Sequence, residues 1–252
     1  MGYLPHVDYV GLTFTEDDGR GGSGDSTARV RLRETMSPAR FAPLDGTPGV
    51  SALARDESFK LLWCNALYAR QCGRESPAQM VGSVMEDFMP IEMAKERMEL
   101  MRPALEEHKV VAYEQLWLGV RQLTRVWALD HEAFGCDGYF VVINKLTDPI
   151  DEHGLLTAPV RFVESGDMGD LDTLSDRELE VYYYLAVGMT MGDIASLLFR
   201  SDKTIGRHIE NIYKKLNFGS RAELVADAVK RGLVEFTSEQ WMDLIESRVK
   251  GK

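Results

Sequence analysis

Downstream of residue 173 the apolar positions recur at helical spacing but in short lengths. Each length opens on a hydroxyl residue, with an acid or a second hydroxyl three positions later. The starts are Ser175…Glu178, Thr190…Asp193, Ser201…Thr204 and Ser220…Glu223. A hydroxyl in that place accepts the backbone N–H three residues on, and a carboxylate there bonds back, so the spacing predicts four helix starts. Thr204 supplies only half of such a pair. Gly188 parts the first length from the second, and Phe199-Arg200 leads the second into the third. Four short helices predict a compact unit with a helix-turn-helix inside it, and exclude a solenoid or a membrane span.

The third length has the most sharply divided faces. At 100° per residue, Ile205, Ile209, Ile212 and Leu216 fall on one stripe, which must face the other helices. Lys203, Arg207, Glu210 and Lys214 point the opposite way, with Asn211 at their edge. Between Arg200 and Asn217 there are five basic residues and two acidic ones. A basic outer face on the second helix of a helix-turn-helix suits the major groove and its phosphates. An ordinary solvated helix face carries similar charge, and charge alone leaves both readings open.

Upstream the periodicity changes. Extended runs are expected over Val50–Arg55 and Phe59–Trp63, short helical stretches over Asn65–Gln71, Pro77–Val81 and Val84–Phe88, and a long amphipathic helix over Ile91–His108. Three further extended runs follow, over Val110–Leu118, Gln122–Phe134 and Gly138–Leu146. Two strands, several helices and three strands give an α+β layout rather than an alternating one. The domains expected are a flexible arm over 1–48, an α+β domain over 49–146, a Gly/Pro-rich linker over 147–172, an all-α four-helix domain over 173–236 and an amphipathic tail helix over 237–252. In that tail Thr237…Gln240 is another start, and Trp241, Leu244, Ile245 and Val249 form a stripe that either packs back or pairs two protomers.

Composition limits the function. The 252 residues are 44% hydrophobic with a formal net charge of -11, and residues 1–169 carry 26 acidic against 17 basic residues, while 170–252 carry 14 against 12. The acidic excess therefore lies away from the third helix, and attraction to DNA must come from a local patch. Absence of an apolar run of 18 residues or of a basic-then-apolar leader indicates a cytoplasmic protein with no membrane partner. Cys64, Cys72 and Cys136 make neither a disulfide framework nor a zinc set. No nucleophile-base pair, metal set or phosphate loop stands out, so an enzyme is not expected.

The run Leu174-Ser175-x-Arg177-Glu178-x-Glu180-Val181, then Leu185-Ala186-x-Gly188-x-Thr190, Ile194-Ala195-x-x-Leu197-Leu198, Lys203-Thr204-Ile205-x-x-His208, Ile212-x-Lys214-Lys215-Leu216 and Ser220-Arg221-x-Glu223 closely resembles the LuxR-type (GerE-like) helix-turn-helix. The resemblance implies a transcription regulator whose third helix enters the major groove of double-stranded DNA and whose fourth contributes to a homodimer. The DNA-binding set would be Lys203, Thr204, Arg207, His208, Glu210, Asn211, Lys214 and Lys215. Arg207 is the best placed to grip guanine O6 and N7 together. His208 projects nearer the core edge, and Glu210 reads either as a cytosine acceptor or as a solvated charge. Where the family often has Asn-Lys-Glu this chain has Met191-Gly192-Asp193, and where it often has Thr-Val-Lys it has Thr204-Ile205-Gly206. Two frequent phosphate-contacting lysines are absent, so a shallower salt dependence is expected.

The upstream pattern Asp56-x-x-Phe59-x-x-x-Trp63-x-Asn65 through Gly73, with Met80-Val81-Gly82 and Phe88-x-Pro90, resembles a PAS domain. That resemblance implies a sensor or dimerisation domain, with a small-molecule ligand among its expected partners and RNA polymerase as a further contact of the regulator. No resident cofactor is expected. The flavin-cysteine light-sensing motif is missing, and His108 reads as a helix-end residue rather than a haem ligand. Trp63, Trp117, Trp127 and Tyr113 read as core positions before they read as a pocket. The alternatives are an acyl-homoserine-lactone receptor, a phosphoacceptor response regulator, whose βα repeat and acidic pair are not visible, and an interaction module with weakened DNA binding. The first should show a Trp-x-x-x-Tyr pair, which Trp63–Leu67 does not give.

Overall fold

The structure, a computed structural model, describes residues 42–129, 131–147 and 159–248. Of the arm expected over 1–48, the first 41 residues lie outside the described residues, as do the middle of the expected linker and the last tail residues; the described part of that arm carries a helix over Ala42–Gly46 rather than a loose segment. In chain order the elements are α1 (Ala42–Gly46), β1 (Val50–Asp56), β2 (Leu61–Cys64), α2 (Ala66–Gln71), α3 (Ile91–Glu106), β3 (Val111–Trp117), β4 (Val120–Ala128), α4 (His131–Phe134), β5 (Gly138–Lys145) and β6 (Val160–Phe162). Helices α5 (Asp176–Ala186), α6 (Met191–Leu197), α7 (Asp202–Leu216), α8 (Arg221–Arg231) and α9 (Ser238–Ser247) follow. Mixed α/β first, then all-α, is the expected class.

The strands form one six-stranded sheet in the order β2-β1-β5-β4-β3-β6. The β1/β2 pair is antiparallel with Leu53 opposite Cys64, and β3/β6 is parallel with Ala112 opposite Val160. Two departures from the sequence reading concern strands. The run Gln122–Phe134 stops as a strand at Ala128, and its last residues form α4. The stretch 147–172, expected as a linker, carries strand β6 and a 3-10 turn over Gly169–Thr173 in its described part.

Two compact units can be distinguished. One takes in the described residues up to Met89 with Met101–Val111 and Val126–Val142; the other takes in Pro90–Leu100, Ala112–Arg125 and the described residues from Ile143 on. In the first, Asn65 caps α2 by accepting from the Tyr68 N–H at 3.1 Å, and its amide donates to the Leu44 and Val50 carbonyls at 3.0 and 2.9 Å. The asparagine thus ties α1, β1 and α2 together, which accounts for an asparagine at a helix start that is buried. Arg55, buried in the same unit, donates to the Phe59 carbonyl at 2.7 Å and the Tyr68 hydroxyl at 3.2 Å. Phe59 stacks on Tyr139 with ring centroids 4.6 Å apart.

The second unit is built around a single apolar cluster that joins helices to strands. Leu179, Val181, Tyr182, Ile194, Ile205, Ile212, Leu224, Ala228 and Trp241 are buried in it, and so are Leu116 from β3 and Met168 from the segment after β6. The helical core therefore reaches beyond residues 173–236. Polar groups close the same seam: Arg231 grips Asp170 with both terminal nitrogens at 2.7 and 2.8 Å, and its Nε donates to Asp227 at 2.7 Å. Asp227 also accepts from the Tyr182 hydroxyl at 2.9 Å. The Arg121 guanidinium, in a buried ion pair with Glu114, lies 5.6 Å from the Phe236 ring centroid. The tail stripe packs back: Trp241 is fully buried and its indole N–H donates to the Leu179 carbonyl at 3.1 Å.

Candidate nucleic-acid interface

Helices α5, α6, α7, α8 and α9 start at Ser175, Thr190, Ser201, Ser220 and Thr237, each with its hydroxyl accepting the N–H three residues on. Glu178 and Asp193 complete reciprocal boxes by accepting from the Ser175 and Thr190 amides at 2.8 and 3.1 Å. Glu223 reaches one residue further back and accepts from the Gly219 amide at 2.9 Å. At the α7 start Thr204 offers no carboxylate, and its hydroxyl lies 2.9 Å from that of Ser201. Arg221 fastens the start of α8 to the end of α5 by donating to the Leu185 and Met189 carbonyls at 3.1 and 2.8 Å.

Between α6 and α7 the chain turns sharply through Phe199, whose φ is 51°. The Arg200 amide returns to the Ala195 carbonyl at 2.9 Å, closing the end of α6 so that α7 can start two residues later. Phe199 is 88% exposed, a large apolar ring that the sequence pattern marks only as part of the turn. α7 ends on Asn217 in the left-handed region, φ 55° and ψ 43°, a conformation asparagine tolerates. Lys214 and Lys215 occupy its last turn, where cations complement the carbonyl end of the helix dipole.

Along α7, Ile205 and Ile212 are fully buried, and Ile209 and Leu216 pack against the same cluster. Lys203, Arg207, Glu210, Asn211 and Lys214 are exposed on the other side, where the sequence pattern puts them. Thr204 and His208 are half-buried at the edges. Lys215 stands apart from the others. Its ammonium donates to the buried Glu178 carboxylate at 2.6 Å, tying the end of α7 to the start of α5. This tie crosses 37 positions of sequence and has no local signal.

Burial of Glu178 works to raise its carboxyl pKa, but hydrogen bonds from Lys215 and Ser175 and the charge of Lys215 outweigh it and hold the group below the ordinary carboxylate value. Asp170 is likewise held low, chiefly by the Arg231 hydrogen bonds against opposing burial. Folded-state values below the unfolded ones stabilise the fold above the ordinary carboxylate range and lose that effect as pH falls through it. The urea midpoint is therefore expected to drop as pH falls below about 5, and to go on dropping through the lowered folded-state values. Lys215→Met should lower stability at pH 7 and flatten that drop. A pH profile parallel to the wild type's would remove Lys215 from this role.

Residues 172–228 match the family model of bacterial regulatory proteins, luxR family. The C-terminal segment is a LuxR-type helix-turn-helix domain. Over 63 residues the chain is 48% identical to the oxygen regulatory protein NreC of Staphylococcus epidermidis, a match covering 25% of this chain and 29% of that protein. An uncharacterized transcriptional regulatory protein, YxjL of Bacillus subtilis, is 36% identical over 64 residues, again 25% and 29% of the two chains. The chain thus spans less than a third of the length of these curated relatives. Among solved structures it is similar to a VqmA–ligand–DNA complex of Vibrio cholerae, with 18% identity, a TM-score of 0.43 and coverage of 82% of this chain and 93% of that one.

Proposed function

We propose that this protein is a transcription regulator that reads promoter DNA with α7 of its LuxR-type domain. The observation that carries the reading is the division of that helix: fully buried Ile205 and Ile212 on one side, exposed Lys203, Arg207, Asn211 and Lys214 on the other. In a helix-turn-helix that face enters the major groove, arginine grips a guanine edge and lysines neutralise phosphates. The half-buried Thr204 and His208 flank the contact, and Glu210 lowers affinity for sequences that do not offer it a donor. Lys215, held by Glu178, contributes through the fold. Two units act together as a homodimer, because joining half-sites raises the local concentration of the second to roughly mM. The sheet domain is PAS-like and responds to a small molecule; the regulator is non-enzymatic, cytoplasmic and engages RNA polymerase at its promoters.

The test compares two substitutions on a duplex selected by the full-length protein. Arg207→Ala is expected to cost about 1–3 kcal/mol on the preferred sequence and to relax preference at one base pair. Lys214→Ala is expected to weaken all sequences alike and to reduce the salt slope by about one. Equal, sequence-blind losses from both would reduce Arg207 to a phosphate contact, and absence of duplex binding at low salt would overturn the reading.

A further inference from the structure

Helix α7 has a bare position at the boundary between its buried and exposed faces, where Gly206 is half-buried. Gly206 projects 40° from Glu210 at 100° per residue and adjoins Arg207. A Cβ on Gly206 would meet the Met191 Sδ at 3.8 Å, an ordinary van der Waals distance. The thioether, carried by the first residue of α6, therefore lies against α7 where a side chain is missing. Met191 is nevertheless 41% exposed. Helix α6 itself, Met-Gly-Asp-Ile-Ala-Ser-Leu, carries no cation. The bare position, one residue before the arginine best placed to read a base, is thus covered by an apolar, flexible and polarisable group.

When a helix-turn-helix docks, the first helix crosses the DNA backbone while the first turns of the second lie against base edges. An apolar side chain held there has one complementary feature in the major groove, the thymine 5-methyl. The remaining edge groups are hydrogen-bond donors and acceptors that a thioether would desolvate without replacing their partners. We infer that Met191, seated against Gly206, is a specificity-determining residue that reads a thymine methyl beside the base gripped by Arg207. The inference rests on the DNA-reading function above and adds a base class to it.

The experiment selects a preferred duplex from a random pool with the full-length protein, then replaces its thymines one at a time by deoxyuracil, which lacks only the methyl group. At one position in each half-site the wild type is expected to lose about fourfold in affinity, the worth of one buried methyl. Met191→Ala is expected to bind more weakly and to be indifferent to the replacement at that position, while keeping its preference at the Arg207 position. Gly206→Lys, which puts a charge where the thioether lies, is expected to abolish the uracil effect as well. A selected duplex bound tightly but with a flat uracil scan overturns the inference and leaves the DNA-reading function standing, as does a Met191→Ala scan identical to the wild type's. Met191→Ala that leaves DNA binding untouched but abolishes binding to RNA polymerase overturns it in favour of a protein contact. Failure to select any sequence overturns the function and the inference together.

Discussion

Gly232→Ala is expected to cost the fold at least about 2 kcal/mol more than Gly188→Ala, although both glycines have left-handed backbones. Gly188 has φ +100° with nothing within 4 Å of a notional Cβ, so an alanine there meets backbone strain alone, on the order of 1–2 kcal/mol. Gly232, which ends α8 at φ +77°, would place its Cβ 2.0 Å from the Leu146 carbonyl oxygen and 3.2 Å from the Arg121 Cβ. Neither neighbour yields cheaply, one being backbone and the other the first carbon of a side chain held in an ion pair with Glu114. Urea unfolding of both variants separates the two contributions. Equal costs would mean that the approach of the α8 end to residue 146 is not part of the stable fold.

That approach matters for how the sheet speaks to the helices. A Gly/Pro-rich stretch over 147–172 reads as a flexible tether, which would restrict the upstream domain to setting the dimer population. The described part of that stretch is instead structured. β6 pairs with β3, and Asp170 is held by Arg231 at the end of α8. β3 and the end of α8 are therefore joined through packed and hydrogen-bonded groups rather than through a loose tether. The alignment of Leu116, Met168 and Trp241 in one cluster gives the same connection in apolar form.

The helix starts were legible because the information is local. A hydroxyl and the amide it caps are three residues apart, and the α7 stripe repeats every third or fourth residue, so Ser175, Thr190, Ser201, Ser220 and Thr237 declare themselves without reference to the rest of the chain. The exposed basic face is legible for the same reason. β6 was not, because Val160-Arg161-Phe162 is too short to show alternation and its pairing partner, Ala112–Glu114, is nearly fifty residues away. Pro159 and Gly166 gave that stretch a loop composition that tertiary pairing overrode. Lys215 illustrates the same limit within the candidate site. The LuxR-type resemblance placed it with the DNA contacts, and only the fold reveals the buried carboxylate that it also pairs with. Periodicity likewise gave the apolar side of α9 but not its destination.

That destination sets the last expectation, a loss of about 3–5 kcal/mol for Trp241→Ala. The side chain is the largest fully buried one among the described residues, stacks on Tyr183 at 5.6 Å and donates to the Leu179 carbonyl within α5. Its removal leaves a cavity in the cluster that supports Ile205 and Ile212, so α7 should lose its fixed presentation along with the fold's stability. Trp241→Phe keeps most of the apolar volume and loses only the indole hydrogen bond to a carbonyl that also accepts within α5, and a smaller loss is expected, about 0.5–1.5 kcal/mol. Concentration dependence decides between packing inside one chain and pairing between two. Unfolding midpoints of wild type and Trp241→Ala should differ by the same amount across a hundredfold range of protein concentration, because the tryptophan is buried within its own chain. A difference that vanishes on dilution would place the stripe at a protomer boundary instead, since stability drawn from association scales with protomer concentration.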